Sequence, residues 1–213
     1  SKGNYDFNVK VDPLNGVQEW DESDNEWNDK LYFCSKQSVL VVNDDDAQAY
    51  WASDEDFDGN VSDLNASSAP AFEYGLKENG YCATVWNESM QGLPTLNDLN
   101  AFDGVVWSMG DYWNTVVDAN EVALLQAYSK PVLFEGNDLA FDHGNDDFMQ
   151  NVVHAVFVKD VLEGPMASIG IIPSSVLPGI SFLDLNLDSS SFPDAVKPVN
   201  GGFIIGMWAD GNA

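Results

Sequence analysis

Arginine is missing altogether: only eight of the 213 residues are basic, all of them lysine, against 35 aspartates and glutamates. The resulting formal charge of −27 repels phosphate backbones and anionic lipid surfaces. That excludes nucleic-acid or membrane-surface binding through a basic patch, and it leaves divalent cations as natural partners. The same charge also serves simply to keep a surface solvated, notably in salty surroundings. No apolar run approaches the roughly 20 residues that span a bilayer. No basic, hydrophobic leader opens the chain either, so it reads as a mature or excised form. Cysteine is scarce, and the spacing of Cys34 and Cys82 alone leaves open one disulfide or two buried thiols.

Apolar material is not scarce. Hydrophobic residues make up 45% of the chain and include seven Trp, twelve Phe and seven Tyr, too much for a disordered acidic tail. The length suits one main domain with an appendage. Residues 1–36 form the appendage, a β-hairpin-like segment with alternation through Tyr5, Phe7, Val9 and Val11, a turn at Asp12-Pro13 and a second run at Leu31 to Phe33. Two strands do not make an independent sandwich.

From residue 37 to 213 the pattern becomes that of an α/β domain. The run Ser38-Val39-Leu40-Val41-Val42 suits a strand buried on both faces. Helix is expected from Pro70 to Asn79, with Pro in the first turn and Gly80 at the stop. Strands follow at Tyr81 to Trp86 and Gly104 to Ser108, a helix at Asn120 to Tyr128, and a strand at Pro131 to Phe134. The stripe Phe148, Val152, Ala155 and Val156 predicts a second helix over Asn145 to Val158, carrying His154. Short apolar pieces at Ile169 to Ile172, Ile180 to Leu187 and Phe203 to Trp208 read as peripheral β segments. Repeated β-α-β units imply a three-layer, doubly wound and mainly parallel sheet.

Ligands of such sheets bind beyond the carboxyl ends of the strands. This sequence crowds that edge with oxygen donors. The first strand runs into Asn43-Asp44-Asp45-Asp46, the second into Asn87-Glu88, the third into Gly110-Asp111 and the fourth into Glu135-Gly136-Asn137-Asp138. Converging carboxylates repel unless a cation or hydrogen bonds offset them, although each Asp also serves as an ordinary helix or turn cap. The sharpest local motif begins at Asp54-Glu55-Asp56-Phe57-Asp58-Gly59-Asn60. Asp at positions 1, 3 and 5 and Gly at 6 form the front half of a calcium loop, so calcium is the expected cofactor. Position 12 is Asn65 rather than the bidentate Glu, which either weakens the match or hands that role to Asp63.

Other candidates are weaker in pattern. Glu135, Asp138 and His143 could serve a metal-dependent hydrolase, within an acidic stretch that also holds Asp142, Asp146 and Asp147. Exposed aromatic faces at Trp20, Trp27, Trp51 or Trp113 would suit a carbohydrate-binding module. Cys34 and Cys82 fall at the amino edge of the sheet, a placement that favours a disulfide over a nucleophile. Asn60-Val61-Ser62, Asn65-Ala66-Ser67 and Asn87-Glu88-Ser89 would accept N-glycans in an exported chain.

Two stretches carry family resemblances. Tyr5-Asp6-Phe7-Asn8-Val9-Lys10-Val11-Asp12-Pro13 with Val17-Gln18-Glu19-Trp20-Asp21-Glu22-Ser23-Asp24-Asn25 resembles the closing strands of CARDB domains, which are adhesion-related immunoglobulin-like modules. Val39-Leu40-Val41-Val42-Asn43-Asp44-Asp45, Gly80-Tyr81, Gly92-Leu93-Pro94 and Phe102-Asp103-Gly104-Val105-Val106-Trp107-Ser108-Met109-Gly110-Asp111 form a second set. With Phe192-Pro193-Asp194-Ala195-Val196 and Pro198-Val199-Asn200-Gly201-Gly202, it resembles class I glutamine-amidotransferase-like, flavodoxin-like domains appended to secreted peptidases and surface proteins.

That resemblance implies an extracellular or cell-surface location. It also implies partners among the other domains or subunits of a surface assembly, and it is compatible with an oligomer. Active members of the fold carry a cysteine in the turn after a central strand. The matching turn here, Glu135-Gly136-Asn137-Asp138, has neither Cys nor Ser. The expectation is therefore a non-catalytic, calcium-stabilised binding or structural module. Related domains continue into a further strand after the Asn-Gly-Gly turn, so truncation or processing is expected as well.

Overall fold

The computed structural model describes residues 3–10, 26–44, 68–110, 116–136, 138–160, 167–171, 182–185 and 194–208. The first pairing along the chain is antiparallel: β1 (Gly3–Lys10) runs against β2 (Glu26–Phe33), from Gly3 opposite Phe33 to Lys10 opposite Glu26.

The centre of the molecule is β3 (Ser38–Asn43), where the uninterrupted apolar run is buried on both sides. Leu40 and Val42 join one hydrophobic cluster while Val41 joins another, because successive side chains of a strand point to opposite faces. β4 (Cys82–Asn87) and β5 (Gly104–Ser108) flank β3, and β6 (Val132–Glu135) pairs with β5, giving the order β4-β3-β5-β6 with every pair parallel. The chain moves from β3 to one neighbour and then back across it to the other. A topological switch point therefore lies between β3 and β5.

The crossovers are helical. α1 (Ala69–Glu78) covers the Val41 face through Ala69, Phe72 and Leu76. It ends where Asn79 and Gly80 turn the chain, with Gly80 at φ 86°, a conformation that glycine adopts without steric cost. α2 (Glu88–Gln91) and α3 (Leu96–Asn100) lead from β4 to β5, and α4 (Ala119–Ala127) leads from β5 to β6. α3 and α4 begin with reciprocal capping boxes, Thr95 with Asp98 and Asp118 with Glu121, each stabilising its helix start by about 1 kcal/mol. The opposite face of the sheet holds the larger cluster, in which Trp107, Phe148, Leu99, Leu125, Met109 and Met149 are fully buried.

The helix expected over Asn145 to Val158 is not there. α5 (Leu139–His143) is followed by a single π-helical turn, Met149–Val153, and then by β7 (Ala155–Asp160). His154 sits between the last two in a left-handed conformation, φ 58°, rather than within a helix. The stripe Phe148, Val152, Ala155, Val156 fits a helical period, yet Val156-Phe157-Val158 also fits a strand. The outcome is decided by a distant partner, since β10 (Asp194–Pro198) pairs antiparallel with β7, with a bulge between Ala195 and Val196. A further antiparallel sheet places β8 (Ala167–Ile171) between β9 (Phe182–Leu185) and β11 (Gly206–Trp208). Among the described residues no helix is long and apolar enough to cross a membrane.

At the amino edge, Cys34 and Cys82 form a disulfide with Cα atoms 5.1 Å apart, tying the entry to β3 to the start of β4. The bridge spans 48 residues. Replacing both cysteines by serine is expected to cost about 4 kcal/mol and to lower Tm by roughly 10 °C in a calorimetric scan. An unchanged Tm would mean that the bridge does not restrain the unfolded chain.

Candidate functional site

Each strand of the parallel sheet ends in an apolar residue followed by a polar one. The register aligns these endings into two rungs. Trp86, Val42, Trp107 and Phe134 lie side by side, and the next rung is Asn87, Asn43, Ser108 and Glu135. Apolar positions occupy the penultimate rung, and hydrogen-bonding groups begin at the last one. Ser68, at the head of α1, belongs to this polar ledge. Its hydroxyl does not cap the helix but donates to Glu135 Oε2 at 2.6 Å and contacts the Ser108 hydroxyl. Ser108 also donates to Glu135 Oε2, at 3.0 Å. One carboxylate oxygen thus ties α1 to β5 and β6.

One step beyond the ledge stand three carboxylates. Asp44 follows β3, Glu88 follows β4 and Glu121 lies in the first turn of α4, and one oxygen of each falls within 4.8 Å of the others. Asp44 is held from two directions: its backbone N–H donates to the Ser108 carbonyl at 2.9 Å, and Trp107 Nε1 donates to its Oδ2 at 2.7 Å. Glu121 is only 6% exposed and accepts the Asp118 backbone N–H within the capping box.

Burial, then the charge of Glu121, push the Asp44 carboxyl from the ordinary 3.8 up to about 9, with a further contribution from Glu88. The Trp107 hydrogen bond opposes that shift, and a hydrogen bond between Asp44 and Glu121 reinforces it. Without a cation, the Asp44–Glu121 pair therefore favours retaining a proton between its two carboxylates. A bound divalent cation would offset the same repulsion. Donors that are all carboxylate oxygen suit a hard ion such as calcium or magnesium. Asp44, Glu88 and Glu121 are the residues that would hold it.

A second group, Asp138, Asp160 and Asp194, gathers beyond the end of β6, again with oxygens within 4.8 Å. Asp138 opens α5 with φ 57° and ψ 9°, a left-handed backbone that is uncommon outside glycine. Gly136 precedes it at φ 156°, where a Cβ would come within 2.8 Å of Met109 Cβ. A side chain there would force apart the β5 and β6 loops. Asp194 accepts the Ala140 and Phe141 backbone N–H groups at 2.8 and 3.0 Å and so caps α5. Burial raises its carboxyl above the usual range despite those two bonds, and the charge of Asp160 adds to the rise.

Of the residues singled out by sequence, Asp44 and Glu88 thus enter one carboxylate group and Asp138 enters the other. Glu121, Asp160 and Asp194 were missed as site residues. Glu121 had a readable signal, because Asp118-x-x-Glu121 is a capping box opening the helix after a parallel strand, which places it at the carboxyl edge. Asp160 and Asp194 meet through the β7–β10 pairing, which no local pattern announces.

The hydrolase candidates are engaged separately. Glu135 binds Ser68 and Ser108, while His143 places Nδ1 2.8 Å from Asp146 Oδ2 and Nε2 3.0 Å from the Val117 carbonyl oxygen. Asp142 accepts the Val116 backbone N–H at 3.0 Å. Asp45, Asp54, Asp56, Asp58, Asn60, Asp63 and Asp111 lie outside the described residues, as do Trp20, Trp51 and Trp113.

No protein-family model and no curated protein matches the chain. Two solved structures resemble it. A protein described as a GMP synthase subunit, from Thermoplasma acidophilum, aligns with a TM-score of 0.48 and 14% identity, over 82% of this chain and 75% of its own. An exo-β-1,4-mannosidase from Opitutaceae bacterium strain TAV5 aligns with a TM-score of 0.50 and 10% identity, over 82% of this chain but 28% of its own length. At that identity the mannosidase likeness concerns fold alone, and it shows the fold within a larger chain.

The buried carboxyl has a measurable consequence. Between 3.8 and about 9 the folded chain holds a proton on Asp44 that the unfolded chain has released, so this group's contribution to stability falls as pH rises through that window. Asp44→Asn keeps an oxygen for the Trp107 N–H and removes the titration. In cation-free buffer the variant is expected to gain Tm over the wild type, by more at about pH 8 than at about pH 5. Parallel Tm profiles for the two proteins would show that Asp44 ionises normally.

Proposed function

We propose that the chain is a non-catalytic binding or structural module of a larger secreted or cell-surface protein, stabilised by calcium at its carboxyl edge. The observation that carries this reading is the convergence of Asp44, Glu88 and Glu121 from three successive β-α units onto one point. Three carboxylates supply a large part of the six to eight oxygens that calcium takes, and Asp45 and Asp46 follow Asp44 directly in sequence. Calcium would stabilise the fold there by neutralising that charge.

Membership in the glutamine-amidotransferase-like domains is part of the proposal. Its support is the parallel β4-β3-β5-β6 sheet and the turn after β6, where the left-handed residue is Asp138. A carboxylate at that position does not serve as the thiol nucleophile of active members. Both cysteines are taken up in the disulfide at the opposite edge, a bond typical of oxidising compartments. The disulfide and the excess of acid together favour an exported module.

Calcium at 100 times its Kd would add about 2.7 kcal/mol, a Tm rise of roughly 5–10 °C that EGTA reverses. Binding at pH 7 to 8 should also release a proton, because Asp44 must ionise to ligate, and titration calorimetry in buffers of different ionisation enthalpy reads that release. Joint replacement Asp44→Asn and Glu121→Gln should abolish both signals. Asp54→Ala with Asp56→Ala and Asp58→Ala tests the acidic loop separately. A wild-type Tm indifferent to calcium, magnesium and chelator would overturn the cation reading. Absence of the chain both from the culture medium and from the proteins labelled by a membrane-impermeant amine reagent on intact producing cells would overturn the exported location.

A further inference from the structure

We propose that Asn87 is an acceptor for an N-linked glycan. The inference rests on the chain being exported, as argued above. Asn87 ends β4, an edge strand of the parallel sheet, and heads α2 with an extended backbone, φ −94° and ψ 109°. Its triplet, Asn87-Glu88-Ser89, is one of three of this kind in the chain and lies wholly within the described residues, whereas Asn60 and Asn65 do not.

The side-chain geometry adds to the triplet. Ser89 Oγ donates a 2.7 Å hydrogen bond to Asn87 Oδ1, and the Asn87 backbone N–H donates to Gln91 Oε1 at 2.9 Å. The amide is therefore held by its oxygen, and among the described residues its nitrogen has no hydrogen-bond partner. Ser89, Met90 and Gln91 are exposed, Met90 to 82%, so among the described residues the approach to Asn87 from α2 is open.

The reaction requires a saccharide donor linked through pyrophosphate to a lipid. Asn87 Nδ2 forms a bond to the anomeric carbon, the bond from that carbon to the pyrophosphate oxygen breaks, and the lipid pyrophosphate leaves. The proton lost from Nδ2 passes to a base of the transferase. A glycan at Asn87 would stand next in sequence to Glu88, one member of the three-carboxylate group.

The test is to express the full chain behind a secretory leader in cultured animal cells and to map the peptide containing Asn87 from both the secreted and the cell-retained protein. Most wild-type molecules should carry saccharide at Asn87, and glycosidase release in heavy-oxygen water should leave a labelled aspartate there. Occupancy should vanish in Asn87→Gln and Ser89→Ala and persist in Ser89→Thr. An unmodified Asn87 peptide in both pools of the wild type overturns the proposal. Export is imposed by the leader, so that failure counts against the acceptor alone, whereas the natural location is decided by the surface labelling described above.

Discussion

A strand buried on both faces has no room in its middle for a polar side chain, and β3 places that constraint on everything around it. Val41 and Val42 are fully buried against different clusters, so the two flanking strands must also present apolar side chains at matching heights. Polar groups are pushed to where the strands run out. The rung Asn87, Asn43, Ser108, Glu135 is the first one available, and the carboxylates of Asp44 and Glu88 come immediately after it. The site is a consequence of how the sheet is buried.

The same geometry creates the electrostatic problem that defines the site. Parallel β-α units bring every strand end to one edge, and in a chain with a formal charge of −27 those ends carry carboxylates. At the Asp44 group the repulsion is intensified by burial, which drives the carboxyl toward its protonated form. At the Asp138 group the relief comes partly from backbone N–H groups, which Asp194 recruits from the start of α5. Trp107 links core and site, since its ring fills the larger cluster while its Nε1 orients Asp44.

Local pattern was informative wherever the relevant contacts were close in sequence. The strands β3 to β6 and the helices α1 and α4 are legible as apolar runs and periodic stripes bounded by caps, Pro70 and Gly80 among them. The segment 145–158 was not legible, because its apolar residues satisfy a helical period and a strand period equally well, and only pairing with Asp194–Pro198 settles the matter in favour of β7. Glu121 was hidden for a different reason. Its capping role is local and visible, but its approach to Asp44 and Glu88 depends on three crossovers closing over one edge.

By itself the sequence determined the fold class, the acidity of the carboxyl edge, and the absence of Cys or Ser from the turn after β6. Those properties follow from composition and short-range periodicity, which each residue carries irrespective of its partners. Only the tertiary structure decided which carboxylates share a site, that Asp44 is buried against Trp107 and Glu121, and that Ser68 reaches across to Glu135. Charge repulsion and desolvation act between groups within a few ångströms, and such distances are set by strand register and helix crossover. A linear order of residues does not contain them.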